Sequence, residues 1–364
     1  MSAESWASLQ GLEQGEMTGR TAKIAVISPL DCSSWNDMLL GCGQGTIFHT
    51  ANWARLLAES YGYHPAYFTL SGEGAYRGCL PIMEVNSVFT GRRGVCLSFS
   101  DYCGSLAQGS ADFQLLFDRI LELGRMNGWR YVEFRGEEFL SKELPAAVYA
   151  HHQLKLSPDE GLMHSRLRAS TARNIKKAVK EGVTVEICSS LRGVQNYYRL
   201  HCLTRKRLGV PPQSMRFFEK LHEHVISRGL GFTALARHEQ VTVAGVICLH
   251  FGSNAVYKYG ASDTDFQHLR ANNLVFWEAI KKCAHEGFVS FSLGRTDLDN
   301  QGLLTFKDGW GGSRSVLNYY RYDFAENGFV TDSRRDLKRY RDLLKKLPIT
   351  VLKILGRLVY RHMG

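Results

Sequence analysis

A lysine between two aromatic residues late in the chain is the side chain best suited to chemistry. Lys307 follows Phe306 directly and precedes Trp310, in a segment rich in glycine. We predict a strand over 289–293, then a charged loop and a glycine-rich turn that holds the ammonium at a cleft, partly desolvated. Such a place is costly for a lysine that is merely solvated. An exposed loop lysine is the simpler alternative.

Four cations stand at helical spacing near the middle of the chain. They are Arg173, Lys176, Lys177 and Lys180, at i, i+3, i+4 and i+7 of a helix predicted over 171–181. That spacing places them on one face, and Ile175, Ala178 and Val179 are predicted to point the other way. The face could bind the phosphates of a polyanionic donor or of RNA. A merely solvated face of an amphipathic helix is the alternative.

Composition limits the class of protein. The chain has 364 residues, 44% of them hydrophobic and 22% charged, and a formal net charge of +10. These values are typical of a soluble protein with two domains and favour an anionic partner. Nine cysteines occur without a C-x-x-C pair, which indicates a reducing cytoplasm rather than a disulfide framework. The first 20 residues are polar, and no run of about 18 apolar residues occurs. Neither secretion nor membrane spanning is therefore predicted.

Hydrophobic periodicity predicts the elements that must position these side chains. Helices are predicted over 33–42, 112–127, 171–181, 191–207, 215–227 and 274–284, and 47–61 is predicted as an approach segment followed by a helix. Strands are predicted over 24–27, 64–70, 76–88, 95–99, 131–134, 148–156, 232–236, 241–251, 255–261 and 289–293. The alternation predicts an α/β (α+β) protein with mixed, largely antiparallel sheets flanked by helices.

The same pattern suggests four segments along the chain. Residues 1–22 read as a flexible leader, 23–160 as an N-terminal half, 161–330 as a C-terminal half that carries Lys307, and 331–364 as a basic tail. In the tail, an apolar helical face is predicted to begin after Pro348, formed by Val351, Leu352, Leu355, Leu358 and Val359. This face either packs against the body of the protein or lies on an anionic membrane surface.

Several motifs together resemble a known family, the Fem-type (peptidoglycan bridge-forming) aminoacyltransferases and related GNAT-fold acyltransferases, including FemAB-like proteins of exopolysaccharide-associated systems. The closing motif of that family is matched by Gly294, Phe306, Lys307, Trp310 and Gly311. The segment 100–104 is also similar to the family, except that Cys103 replaces the first of two glycines that commonly follow Asp-Tyr. The resemblance covers residues 24–325 and implies two GNAT-like halves with an internal pseudo-repeat of structure.

The resemblance also implies a reaction and a set of roles. An aminoacyl or acyl group would pass to an amine of a cell-envelope precursor, with no cofactor required. The residues expected to take part are Lys307 at the oxyanion, Asp101 as general base, Arg270 and Arg295 on anionic groups, Tyr259 and Asn273 in the cleft, and Trp53 and Trp310 in substrate binding. The expected location is the cytoplasm, with the tail able to contact the inner face of the membrane.

The functional interpretations differ in which molecule donates the acyl group. A usual GNAT site for coenzyme A needs a glycine-rich turn before its helix, where backbone N–H groups bind pyrophosphate. The corresponding segment, 263–273, contains no glycine, which favours aminoacyl-tRNA over acyl-CoA. An acyl-CoA-dependent N-acyltransferase of polysaccharide or lipid biosynthesis is the second interpretation. A non-catalytic family member that binds RNA or membrane is the third.

Two further kinds of site were weighed against the spacing of their residues. The pairs His151 with His152 and His222 with His224 do not face one another on a regular element, so no metal site is predicted. Cys103 has no histidine partner that the sequence identifies, so a covalent nucleophile is unsupported.

Overall fold

A computed structural model of the chain describes residues 22–43, 45–72, 75–331 and 338–364. The predicted leader lies outside these residues, apart from its last position. The α-helices of the described residues are α1 (Trp35–Cys42), α2 (Ala51–Tyr61), α3 (Ser110–Met126), α4 (Glu160–Ser165), α5 (Ala169–Lys180), α6 (Leu191–Leu208), α7 (Met215–His224), α8 (Ala271–His285), α9 (Gln301–Asp308), α10 (Lys338–Lys346) and α11 (Ile349–Val359). The strands are β1 (Ala22–Ile27), β2 (His64–Gly72), β3 (Ala75–Ser87), β4 (Gly91–Val95), β5 (Tyr131–Arg135), β6 (Ala147–Lys155), β7 (Thr184–Cys188), β8 (Gly231–His238), β9 (Val241–Phe251), β10 (Asn254–Ser262), β11 (Ser290–Asp297), β12 (Ser313–Asp323) and β13 (Gly328–Phe329).

The described chain divides into two compact units. The first contains residues up to Val148, then 317–331 and 361–364, and the second contains 149–316 and 338–360. The expected boundary at 160 is therefore moved to 148, and the tail is divided between the units at residue 360. Strand pairing explains the shift, because β6 pairs with a strand of the second unit and the end of β12 with a strand of the first.

In the first unit, the strands follow the order β1-β2-β3-β4-β5-β12. Neighbours are antiparallel except for β4 and β5, which are parallel and are connected through α3. Parallel neighbours need a crossover of this kind. Helix α3 buries one stripe, including Phe113, Leu116 and Ile120, as its periodicity predicts.

The second unit repeats this arrangement, with the order β7-β8-β9-β10-β11-β6. Only β10 and β11 are parallel, and α8 forms the crossover between them. Helix α8 is buried over most of its circumference, with Leu274, Phe276 and Ile280 in a core that also holds Trp310. A helix covered on most sides in this way is predominantly apolar, as its sequence is.

Each unit is thus a mixed, mostly antiparallel sheet flanked by helices, which confirms the predicted fold class. The two units share one plan of four antiparallel strands, a crossover helix, a parallel strand and a closing antiparallel strand. The two units therefore form an internal repeat of structure, and no repeat of sequence accompanies it. The closing strand of each unit comes from a distant part of the chain. Strand β6 follows β5 in sequence but pairs with β11, and β12 follows β11 but pairs with β5.

Local predictions were wrong at several places, among them the short elements α4, α10 and β13, which were not predicted. The expected turn at 91–94 is strand β4, and the expected strand at 95–99 continues only as turns after Val95. Residues 301–308, expected as loop and turn, form α9, which Asn300 caps by accepting from the N–H of Leu303 at 3.1 Å. Strands β7 and β12 were not predicted.

The tail forms the short helices α10 and α11. Leu352 is fully buried, so part of the predicted apolar face packs on the protein. Within the described residues, no helix has both the length and the apolar character needed to cross a membrane.

Candidate functional site

A cavity of about 450 Å³ lies in the second unit, at the point where α5 and α8 begin. Its wall comes from the first turns of these two helices, from the segment 262–273, from β9 and from α9. The N-terminus of a helix carries unsatisfied N–H groups and a partial positive charge. Two such termini at one cavity make it suited to an anion.

Arginine occupies the N-cap position of both helices. Arg168 precedes α5 and Arg270 precedes α8, and neither side chain caps its helix. Serine, threonine, aspartate and asparagine are the residues that normally cap, because their oxygen accepts a backbone N–H. A cation at this position instead adds to the positive potential of the helix end. Both arginines line the cavity.

The backbone at Arg270 has the left-handed conformation, with φ of 59°. Glycine adopts this conformation most readily, and a long side chain there is uncommon. The position is therefore built for the same kind of turn that glycine usually makes, with a guanidinium added. The Nη1 of Arg168 donates to the carbonyl of Thr305 at 3.1 Å, which places the start of α5 against α9.

Amide and hydroxyl side chains complete the polar wall. Asn174, Asn272 and Asn273 line the cavity, and the Nδ2 of Asn272 donates to the Oγ of Ser262 at 3.0 Å. Asp263 also lines it and forms an ion pair with Arg199 at 3.7 Å. The wall thus carries two arginines and three asparagines but a single acid. This set favours a ligand that combines negative charge with neutral polar groups.

Lys307 is buried rather than exposed, with 3% of its surface accessible, and lies on α9 rather than in a turn. Its Nζ donates to the carbonyls of Gly294 and Arg295, at 3.0 and 3.1 Å. The pairing of β10 with β11 is confined to 254–256 and 290–292, so these carbonyls lie beyond its end. The ammonium thus bonds to the end of β11 and ties α9 to it.

The neighbours of Lys307 anchor the same helix on other sides. Phe306 and Trp310, at i and i+4, pack on each other with ring centroids 5.7 Å apart, and the ring of Phe276 packs against both. The Nε2 of His152, on β6, lies 2.8 Å from the Oδ1 of Asp308. Burial lowers the pKa of His152, so its neutral form donates this bond. Because the rings of Phe306 and Trp310 pack on each other, the ammonium does not lie between them. The sequence had suggested that it does.

Of the predicted site residues, the cavity collects Arg270 and Asn273. The others in the second unit lie elsewhere: Tyr259 packs on Phe217 and Phe218, Arg295 lies over the ring of Tyr149 at 4.6 Å, and Trp310 is in the core. In the first unit, Trp53 is fully buried against Phe48, and the carbonyl of Asp101 accepts from the hydroxyl of Tyr319 at 2.6 Å. Their roles in substrate binding and catalysis stay predictions.

The four predicted cations do share the exposed side of α5. Arg173, Lys176, Lys177 and Lys180 are all exposed, while Thr171, Ile175 and Ala178 are buried. Val179 was expected on the buried face but is 59% exposed. Because α5 begins at the cavity, this basic side continues outward from it along one helix. Binding of a donor to this surface stays a prediction.

Cys103 has a histidine neighbour that the sequence did not reveal. The Nε2 of His49 lies 3.4 Å from the sulfur of Cys103 and 3.0 Å from the carbonyl of Gly104. The Nδ1 of His49 accepts the N–H of Thr46 at 3.2 Å, so the ring proton is on Nε2 and donates to Gly104. Burial lowers the pKa of His49 to about 4 and raises the pKa of Cys103. A neutral histidine that is already a donor at Nε2 does not activate this thiol.

Sequence reasoning missed Asn174, Asn272 and Thr305 as lining residues. Asn272 and Asn273 do stand in the glycine-free segment that was singled out, and Asn174 stands beside Arg173. The available signal was the occurrence of amides near the starts of two helices. Sequence reasoning did not connect them with Thr305, because residues 301–308 were expected to be a loop and not the helix α9.

Comparison with known proteins agrees with this geometry. Residues 165–307 match the acetyltransferase (GNAT) domain family. The fold is similar to the crystal structure of FemX, with a TM-score of 0.65 and 13% identity over 83% of this chain and 98% of that chain. It is also similar to a tandem GNAT protein from the clavulanic acid biosynthesis pathway, with a TM-score of 0.52 and 9% identity over 83% of this chain and 98% of that one.

A third similar structure is the C-terminal domain of a protein assigned as a lysylphosphatidylglycerol synthetase, from Agrobacterium fabrum. The TM-score is 0.53, with 14% identity over 81% of this chain and 93% of that chain. At such identities the likeness concerns the fold. No match was found among curated protein sequences.

Residues 165–307 carry a GNAT acetyltransferase domain, which supports an acyltransferase. The fold of the chain is similar to the folds of FemX and of a tandem GNAT protein, and this agrees with the resemblance of its motifs to Fem-type and GNAT proteins.

The buried His49 should make the protein less stable in acid. The unfolded histidine takes up a proton near pH 6.5 and the folded one only near pH 4, so stability falls as the pH drops between these values. Between pH 7.5 and pH 5 we expect this residue to cost about 2 kcal/mol of unfolding free energy. Urea unfolding of His49→Gln should show that much less loss over the same range. His64→Gln changes an exposed histidine and should keep the wild-type loss; an equal loss in all three proteins would contradict the prediction.

The buried Lys307 should contribute to stability. Lys307→Met leaves the carbonyls of Gly294 and Arg295 without their donor, and we expect a loss of about 1–3 kcal/mol in unfolding free energy, with a fall in turnover. Lys155→Met removes an exposed lysine and should change stability by less than about 0.5 kcal/mol. Unchanged melting of Lys307→Met with collapsed turnover would instead favour direct stabilisation of the oxyanion.

Proposed function

We propose that this acyltransferase forms an amide by moving an aminoacyl group from aminoacyl-tRNA to an amine of a cell-envelope precursor. The observation that carries the proposal is the cavity where α5 and α8 begin with arginine at both N-caps. The proposed setting is the cytoplasm, where the acceptor would be reached at the inner face of the membrane. No cofactor takes part in the proposed reaction.

The donor would bind with its negative charge at the cavity. Arg168 and Arg270 would hold a phosphate or carboxylate against the two helix ends, where backbone N–H groups add further donors. Asn174, Asn272 and Asn273 would bind the neutral polar groups of the donor. The exposed cations of α5 would then contact the rest of a polyanion as it leaves the cavity.

The chemistry needs little beyond alignment. The neutral amine nitrogen attacks the ester carbonyl, a C–N bond forms, the C–O bond to the leaving sugar breaks, and one proton passes from nitrogen to that oxygen. Positioning two bound reactants supplies much of such a rate enhancement. Asp101 stays the proposed general base, and Lys307 the proposed oxyanion donor. The bonds of Lys307 to Gly294 and Arg295 add a positioning role, because they fix α9 in the cavity wall.

An acyl-CoA donor is the second candidate, and the matched GNAT domain favours it. The two donors differ in what the wall must bind at the start of α8. Pyrophosphate is gripped by successive N–H groups of a glycine-rich turn. Here the one left-handed residue in 263–273 is Arg270, which brings a side chain to that place. This difference supports aminoacyl-tRNA over the thioester.

Donor identity decides between these candidates. The protein is incubated with an amine acceptor and either aminoacyl-tRNA or acyl-CoA, and loss of the acyl group from each is measured. We expect loss from aminoacyl-tRNA. Consumption of acyl-CoA alone would establish the second candidate, and RNA binding without loss from either donor would indicate a non-catalytic protein.

Arg270 should matter for donor binding more than for stability. Arg270→Gln removes a charge that hydrogen-bonds an anion, an interaction worth roughly 1.5–3 kcal/mol, so the donor KM should rise about tenfold or more. Its melting temperature should stay near wild type, because the side chain is exposed. Arg130→Gln, an exposed arginine of the first unit, is the matched control. An unchanged KM in Arg270→Gln would remove the cavity from donor binding.

The basic side of α5 should affect binding in a salt-dependent way. In Lys176→Glu/Lys177→Glu we expect weaker binding of tRNA, and the slope of log affinity against log salt should become shallower by about 1–2. Lys142→Glu/Lys155→Glu makes the same change in net charge at other exposed lysines. Equal effects in both variants would mean that net charge alone acts, and α5 would be a solvated helix.

A further inference from the structure

Helix α11 is docked on the second unit in one fixed orientation. Leu352, Gly356 and Tyr360, each four residues apart, are buried. A Cβ at Gly356 would lie 1.9 Å from the carbonyl oxygen of Pro212, so helix and loop approach as closely as glycine permits. The hydroxyl of Tyr360 donates to the carbonyl of Pro211 at 3.1 Å. These contacts determine which side of α11 faces outward.

The outward side of α11 is apolar. Val351, Ile354 and Leu358, at i, i+3 and i+7, are 38%, 62% and 59% exposed. At about 100° per residue this stripe lies opposite the docked one. The preceding helix, α10, adds Tyr340 and Leu343, which are 66% and 63% exposed. An exposed stripe of large apolar side chains marks an interaction site.

The charge around this surface is strongly positive. Residues 340–364 contain one acid, Asp342, and six cations, namely Arg341, Lys345, Lys346, Lys353, Arg357 and Arg361. An apolar stripe bordered by lysine and arginine is typical of helices that lie in the headgroup region of anionic bilayers. A symmetric second copy would bring the same cations together and repel. RNA would use the cations but leave the stripe in water.

We propose that α10 and α11 form a docking surface for an anionic lipid bilayer. The side chains of Val351, Ile354 and Leu358 enter the boundary between headgroups and acyl chains, and the surrounding cations contact lipid phosphates. The helices lie along the surface and do not span it. This surface is separate from the cavity and would bring the enzyme to acceptors held at a membrane.

Flotation of the full-length protein with vesicles tests the proposal. One set contains phosphatidylcholine alone, and the other contains phosphatidylcholine mixed with phosphatidylglycerol. We expect binding to the mixed vesicles, weakened by added salt, and at least about tenfold weaker binding by Ile354→Glu/Leu358→Glu. Val241→Glu/Val289→Glu alters two apolar residues that are 41% and 56% exposed elsewhere on the second unit, and should bind as the wild type does.

A second variant separates charge from burial and does not touch the apolar stripe. Arg357→Glu/Arg361→Glu should lose the preference for phosphatidylglycerol and keep the wild-type melting temperature. Binding to neither vesicle by the wild type, or equal binding by Ile354→Glu/Leu358→Glu, would overturn the proposal. A dimer of the wild type in sedimentation would also overturn the proposal if Ile354→Glu/Leu358→Glu converted it to a monomer and neither protein bound vesicles. The stripe would then cover a second copy of the chain.

Discussion

The bond from the buried ammonium of Lys307 to the carbonyls of Gly294 and Arg295 is the constraint on which the candidate site depends. Strand β11 loses its parallel partner after residue 292, so its next carbonyls need donors from another element. Lys307 supplies them from α9. The same helix then presents Gly302, Thr305 and Phe306 to the cavity. One side chain therefore connects a strand end, a helix and one wall of the site.

The rest of the wall depends on helix ends rather than on side-chain acids and bases. Arg168 and Arg270 stand where capping residues usually stand, so the first turns of α5 and α8 keep their positive potential toward the cavity. The left-handed backbone of Arg270 is costly for a residue other than glycine, and residues in such conformations cluster at functional sites. A site of this kind is suited to binding and orientation. It agrees with a reaction in which an amine attacks an activated ester.

Strong periodicity made most of the fold predictable. Helices α3 and α6, and the hairpin of β8 and β9, were found within a few residues, because long apolar patterns report burial directly. Helix α9 was missed because three glycines follow Phe306 closely and its cap, Asn300, resembles a turn residue. Lys307 was singled out by its residue type and its neighbours, and its role at the oxyanion stays a prediction. Its two carbonyl partners could not be predicted, since the end of the β10–β11 pairing is a matter of three-dimensional register.

The exchanged closing strands explain why the domain boundary was hard to place. Strand β6 follows the first unit in sequence, yet its hydrogen bonds are to β11, and the end of β12 returns to β5. Composition along the chain does not change at Val148, because β6 has the same half-buried pattern as any other strand. The tail shows the same limit in another form. Its apolar periodicity was visible, but only the approach of Gly356 to Pro212 decides that Leu352 faces inward and Ile354 faces the solvent. Burial of one side of a helix thus decides which of its side chains stay exposed.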